Sequence, residues 1–209
     1  MSAFECVKPT VIYDDLDTRV ADFTFDFDAF YDMARSAGLN RDDIASYTLE
    51  YPSTVPRNGR CGDYSIRRRL ARIYVGSYIE RNATLMNDDS DVALVFVSSA
   101  VSRGVNDTTI HETGHHVDYS TNGEGKNRSR IHAATLAGCS AVTLGAGFLL
   151  ENPLAMGVQL LGLGAIIGKS VRYLGYSNRP QEVVATKFER ANASLYQITR
   201  LSLNKSIFT

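Results

Sequence analysis

Three of the four histidines in this 209-residue chain lie between positions 111 and 116, in the stretch TTIHETGHHVDY at 108–119. An α-helix turns about 100° per residue, so positions four apart share a face. His111 and His115 can therefore aim ring nitrogens at one metal ion. Glu112 stands beside His111, within reach of a water held by that ion. This is the mechanical content of an HExxH motif. Bound zinc lowers the pKa of its water toward ~7, and the carboxylate accepts the proton as the water attacks a peptide carbonyl. The expected chemistry is zinc-dependent endopeptidase hydrolysis of peptide bonds. The competing reading is a solvated helix with clustered histidines.

Two histidines and a water leave zinc one protein ligand short. The candidates are His116, Asp118, His132 and Glu182. His116 is one residue off the shared face and reads as a polar or packing residue. Asp118 follows His111 by seven residues, on the same side but further along, which suits an acceptor for a histidine N–H better than a ligand. Glu182 is the best candidate: it opens a helix in NRPQEVVATKFERA and precedes an apolar stretch. Its plain alternative is a first-turn glutamate favoured by the helix dipole.

The elements that must position these residues can be read around them. FDAFYDMARSAG, 27–38, has helical spacing and a Gly38 stop signal. RDDIASYTLEY opens as a helix and leaves as a strand, and 52–64 reads as loop. RIYVGSYI, 72–79, and DVALVFVSS, 91–99, are the strongest strand candidates, the second reading as a buried strand. SRGVNDTT then reads as a turn in which Asn106, Asp107 or Thr108 caps the motif helix. Asn-Gly at 122–123 ends that helix, and a last helix covers 180–199 from Pro180. Gly114 lowers helix stability by about 1 kcal/mol relative to Ala, which suggests that a neighbouring segment passes close there.

HETGHH followed, after an apolar interval, by SNRPQEVVATKFERA resembles the gluzincin metallopeptidases of the HtpX and CAAX-prenyl-protease type. In that family HExxH lies on one helix and a glutamate ligand on a later one, in a pattern like R-x-x-E-x-x-A-D. The resemblance spans 105–190; the first hundred residues match only in general character, with DVALVFVSS, 91–99, in the place of the edge strand that pairs with an extended substrate. It implies an α+β, zincin-like metallopeptidase domain with a small sheet, an HExxH helix and an inserted apolar helical hairpin. It implies His111, His115 and Glu182 as zinc ligands and Glu112 as general base. Arg179 and Ala185 match the pattern. The family's aspartate falls on Thr186, a departure; that aspartate braces the site, so the brace is either missing or supplied by Asp118. The departure leaves room for a different class, an inactive zinc-binding relative acting as a structural or regulatory module.

The interval 133–168 carries one charged residue, Glu151, followed by Asn152 and Pro153. Two apolar runs joined by a tight turn read as a helical hairpin at 132–169 within a single domain of 1–209. Each run is at the short end for crossing ~30 Å at 1.5 Å per residue. Basic residues flank both outer ends, as in a hairpin with both ends cytoplasmic. His111 and Glu182 must meet at one ion, so the chain between them crosses a membrane an even number of times or not at all. Two expectations follow: a transmembrane hairpin with the catalytic part on the cytoplasmic side, or a buried helix pair in a soluble cytoplasmic protein. An oxyanion stabiliser is sought among His132, Arg172, Tyr173, Tyr176 and Arg179.

Bulk composition excludes some classes. Lys and Arg number 22 against 23 Asp and Glu, a net charge of −1, so nothing asks for nucleic acid. Cys6, Cys61 and Cys139 are odd in number and scattered, which argues against a disulfide framework. The N-terminal stretch shows no basic region followed by an apolar run, so no secretory signal is expected. The partner that remains is a peptide or protein substrate.

Overall fold

A computed structural model describes residues 7–13, 16, 18–83, 91–122 and 180–205. The chain divides into two compact units, Met1–Thr121 with Ala185–Thr209, and Asn122–Val184. The described elements are β1 (Thr10–Ile12), β2 (Val20–Phe25), α1 (Phe27–Ser36), α2 (Arg41–Ala45), β3 (Thr48–Glu50), β4 (Gly62–Ser65), β5 (Leu70–Ile73), α3 (Val75–Ala83), α4 (Asp91–Asn122), α5 (Pro180–Asn192) and β6 (Thr199–Leu203). The class is mixed α+β with small sheets, as expected. The expected hairpin at 132–169 lies outside the described residues.

Local signals explain the early helices. Asp26 caps α1 by accepting from the Asp28 and Ala29 backbone N–H groups at 3.1 and 2.9 Å, and Gly38 leaves it with a φ of 88°. Asn40 and Asp43 form a reciprocal capping box on α2. The first sheet has the order β1-β3-β5-β4. β1, β3 and β5 run parallel, and β4 is an antiparallel edge strand against β5. The second sheet pairs β2 and β6 antiparallel.

α4 is the axis of the fold. It runs 32 residues, a length of roughly 48 Å at 1.5 Å per residue. Val97, Val101 and Val105 are buried at a spacing of four, and Ile110 is buried further along. They join Phe30, Met33, Leu49, Ile73 and Ile198 in one core. Tyr47 and Tyr51, beside β3, are fully buried, and their hydroxyls meet Thr113 and Thr109 of α4 at 3.4 and 3.1 Å. Each threonine gives its own proton to the carbonyl four residues back, Thr109 to Val105 and Thr113 to Thr109. Each tyrosine is therefore the donor to its threonine. Burial pushes both phenols well above their ordinary pKa.

Several sequence expectations are corrected here. Residues 91–99 are the first turns of α4, not a strand. Only Val97 of their large apolar residues is fully buried, while Val92, Val95 and Phe96 are 79%, 69% and 65% exposed. A continuous apolar run does not separate strand from helix, and tertiary packing at a four-residue spacing overrides β-propensity. SRGVNDTT is mid-helix rather than a turn. Gly104 is small because a Cβ there would overlap the Tyr78 ring. Asn106 is not a cap: it accepts from the Ile198 and Thr199 N–H groups at 2.8 and 3.1 Å and donates to the Tyr196 carbonyl. Ser102 and Ser98 accept likewise from Leu201 and Leu203. Four residues of helix rise about 6 Å, close to two residues of strand, so the ladder of 98, 102 and 106 matches alternate β6 amides. Residues 72–79 are split between β5 and α3, and the last helix stops at Asn192, ahead of β6.

The transmembrane expectation is also corrected. Among the described residues no helix is long and apolar enough to cross a membrane. α4 is the longest of them, yet it carries Asp91, Arg103, Asp107, Glu112 and Asp118 along its length.

Replacing Asn106 by Ala leaves two buried N–H groups of the β6 segment without their acceptor. The expected cost is about 2–4 kcal/mol, read as a lower urea midpoint with native far-UV circular dichroism retained before the transition.

Candidate metal centre

The site is assembled by the approach of two helices. A Cβ on Gly114 would stand 3.0 Å from the Ala185 Cα and 3.0 Å from the Phe188 Cβ. The glycine expected to mark a close passage therefore does so, and the neighbour is α5. One turn toward the start of α5 from Ala185 lies Glu182. Nitrogens of His111 and His115 and a carboxylate oxygen of Glu182 all lie within 4.8 Å of one another. The three side chains expected to meet are thus brought together.

This donor set fits a metal ion. Bonds of about 2.0–2.2 Å in a tetrahedron put ligand atoms roughly 3.3–3.6 Å apart, so small side-chain rotations close the remaining gap. His115 and Glu182 are 9% and 5% exposed, and a buried carboxylate beside two imidazoles suits a cation. The His111 and His115 rings stand nearly perpendicular, at 83°, with centroids 5.1 Å apart.

His111 is oriented from behind. Its Nδ1 lies 2.9 Å from Oε2 of Glu189. An ionised carboxylate only accepts, so Nδ1 carries the hydrogen and Nε2 keeps the lone pair for the metal. Glu189 was missed in the sequence, where Asp118, Arg179 and Thr186 were the candidates for this supporting role. The signal was present: Glu189 follows Glu182 by seven residues, two turns along the same helix face. Thr186 is half-buried on α5, Asp118 is buried three residues beyond His115, and Arg179 lies outside the described residues. The oxyanion candidates His132, Arg172, Tyr173 and Tyr176 lie outside them as well.

Glu112 is 4% exposed and faces the edge strand. A Cβ at Gly62, the first residue of β4, would overlap the Glu112 carboxylate and the Thr108 methyl group. Two residues on, and so on the same face of the strand, Tyr64 lies nearly parallel to His115 at 6.1 Å. Its hydroxyl is 2.8 Å from Nδ1 of His116.

His116 has a structural role, as its position off the ligand face suggested. It is fully buried, stacked on Tyr47 with centroids 4.2 Å apart. Nε2 lies 3.1 Å from the Asp43 carbonyl, which only accepts, so Nε2 carries the hydrogen and Nδ1 accepts from Tyr64. Burial, ahead of every other influence, holds this imidazole below its ordinary pKa and so in the neutral form. Both nitrogens are engaged and neither is available to an ion.

Two substitutions probe this arrangement. Glu189→Gln is expected to weaken metal affinity by about 10–100-fold, measured by chelator competition, with the thermal midpoint of the metal-free protein little changed. Gly114→Ala improves intrinsic helix propensity by about 1 kcal/mol and is nevertheless expected to lower both metal affinity and thermal midpoint, because the added methyl drives α5 and Glu182 outward.

No protein-family model, no curated protein and no solved structure matches this chain.

Proposed function

We propose that this protein is a zinc-dependent endopeptidase of the gluzincin type, with a zincin-like active site. The observation that carries the reading is the convergence of His111, His115 and Glu182, from two helices far apart in sequence. A glutamate beside the first ligand and a carboxylate behind it add to the support. Zinc is the metal that best suits two imidazoles and a carboxylate with one position left open for water.

When bound, zinc supplies Lewis acidity, acidifying water and polarising the scissile carbonyl. Glu112, adjacent to both histidine ligands, takes the proton from the attacking water and passes it to the leaving amine. Glu189 keeps His111 in the tautomer that ligates. The substrate is an extended peptide laid against β4. Among the described residues β4 pairs only with β5, which leaves its outer edge for main-chain hydrogen bonds. Residues 91–99, expected to supply such an edge, are helix, so the role falls to 62–65. Gly62 lets that strand approach the Glu112 carboxylate.

A second reading, an inactive zinc-binding relative, is favoured by Thr186 at the place of the family's aspartate. Glu189 behind His111 weakens that argument. Elemental analysis is expected to find about one zinc per chain, lost in His115→Ala and sharply reduced in Glu182→Ala. Glu112→Gln is expected to keep the zinc and abolish cleavage of a denatured protein such as casein. Zinc without cleavage in the wild type would favour the inactive relative, and no zinc after reconstitution would sink both readings.

A further inference from the structure

Beyond the metal centre, α4 and the chain that links α5 to β6 line a solvent-open cavity of about 710 Å³. That volume suits a ligand of several residues rather than a lone ion. Arg103 comes from α4, Arg200 from β6 and Gln197 from the connection, with Ser99 adding a hydroxyl. Neither arginine enters an ion pair among the described residues. The one acidic group of the lining, Asp107, stands in the fields of Glu189 and, more weakly, Arg103. The two guanidiniums therefore outweigh the single carboxylate, and the cavity favours an anion.

The cavity has a fixed wall. Asn106 ties Tyr196, Ile198 and Thr199 to α4 through three hydrogen bonds. Its place relative to the metal centre is also set. Asp107 and Arg103 lie one and two turns before His111 on one continuous helix, about 6 and 12 Å along its axis. Asp107 feels the charge of Glu189, the residue that holds His111. An extended peptide advances about 3.3 Å per residue, so the cavity is two to four residues from the bond to be cut.

We infer that this cavity holds a carboxylate of the peptide substrate, two to four residues from the scissile bond, between Arg103 and Arg200. The inference rests on the peptidase reading and deepens it. Guanidinium forks match carboxylate geometry and supply two parallel donors each. The carboxylate comes from the C-terminus of the peptide or from an acidic side chain.

Three Ala/Gly hexapeptides carrying an uncharged BODIPY label separate these sources: one with a free C-terminus, one amidated, and one amidated with a single internal Glu. Their binding is followed by fluorescence anisotropy at low salt, to the zinc-loaded Glu112→Gln chain and to the metal-free wild type. At least one carboxylate peptide is expected to bind tenfold or more tightly than the neutral amide, and which one does so names the source. The advantage is expected to fall below twofold in Arg103→Gln/Arg200→Gln, whose exposed substitutions leave circular dichroism and thermal midpoint unchanged. Equal affinities, no binding of any peptide, or an advantage that survives the double substitution would overturn the inference. Its failure is separable from that of the peptidase reading. Zinc binding and cleavage without carboxylate preference would remove the cavity's role alone. Carboxylate preference through the two arginines in a chain that takes up no zinc would keep the cavity as an anion site and remove the peptidase.

Discussion

The centre depends on how closely α4 and α5 approach each other. Gly114 permits that distance, and Ala185 and Phe188 occupy the space a side chain would have filled. Moving α5 outward by one methyl radius would carry Glu182 away from the two histidines and Glu189 away from His111. A metal site has little tolerance for such displacement, since its bonds are short and its geometry is narrow. The lower helix propensity of one glycine is small beside the interactions its absence would disrupt.

α4 serves two purposes along one axis. Its first half carries Ser98, Ser102 and Asn106, which take up the amides that β6 turns away from β2. A strand edge is thereby covered by helix side chains instead of by another strand. Its second half carries the candidate ligands, the glutamate beside them and the threonines that hold Tyr47 and Tyr51. The same helix thus anchors the C-terminal segment and presents the site. Rigid support of this kind is what keeps a functional constellation in register.

Much of the centre was legible in the sequence because its signals are local. HExxH at helical spacing marks His111 and His115 as candidate ligands with Glu112 beside them, and the segment around Glu182 offers a third. Gly114 announced a close neighbour by being a poor residue for its place. What was not legible depended on partners distant in the chain. Asn106 looks like a helix cap in isolation and becomes a clamp only when β6 arrives some ninety residues later. The stretch 91–99 has the composition of a strand, and only the core packed against Val97, Val101 and Val105 makes it helix. β4, short and beginning with glycine, carries no periodic signal at all, yet it is the edge that faces Glu112. Glu189 could have been found from its spacing to Glu182, had that face of the helix been followed for two turns.

The sorting of the three neighbouring histidines decides which of them an ion can reach in the folded chain. In an unfolded chain His111, His115 and His116 are alike to an ion, and a metal bound there would stabilise the wrong state, since affinity for the unfolded chain offsets ligand stabilisation. Docking α4 onto the sheet removes the ambiguity, because His116 is then stacked on Tyr47 and bonded at both nitrogens. In that state the helix offers two imidazoles and no third. The tyrosines beneath the site thus narrow the choice in the folded chain: of the three neighbouring histidines, only His111 and His115 keep nitrogens that can meet Glu182 at an ion.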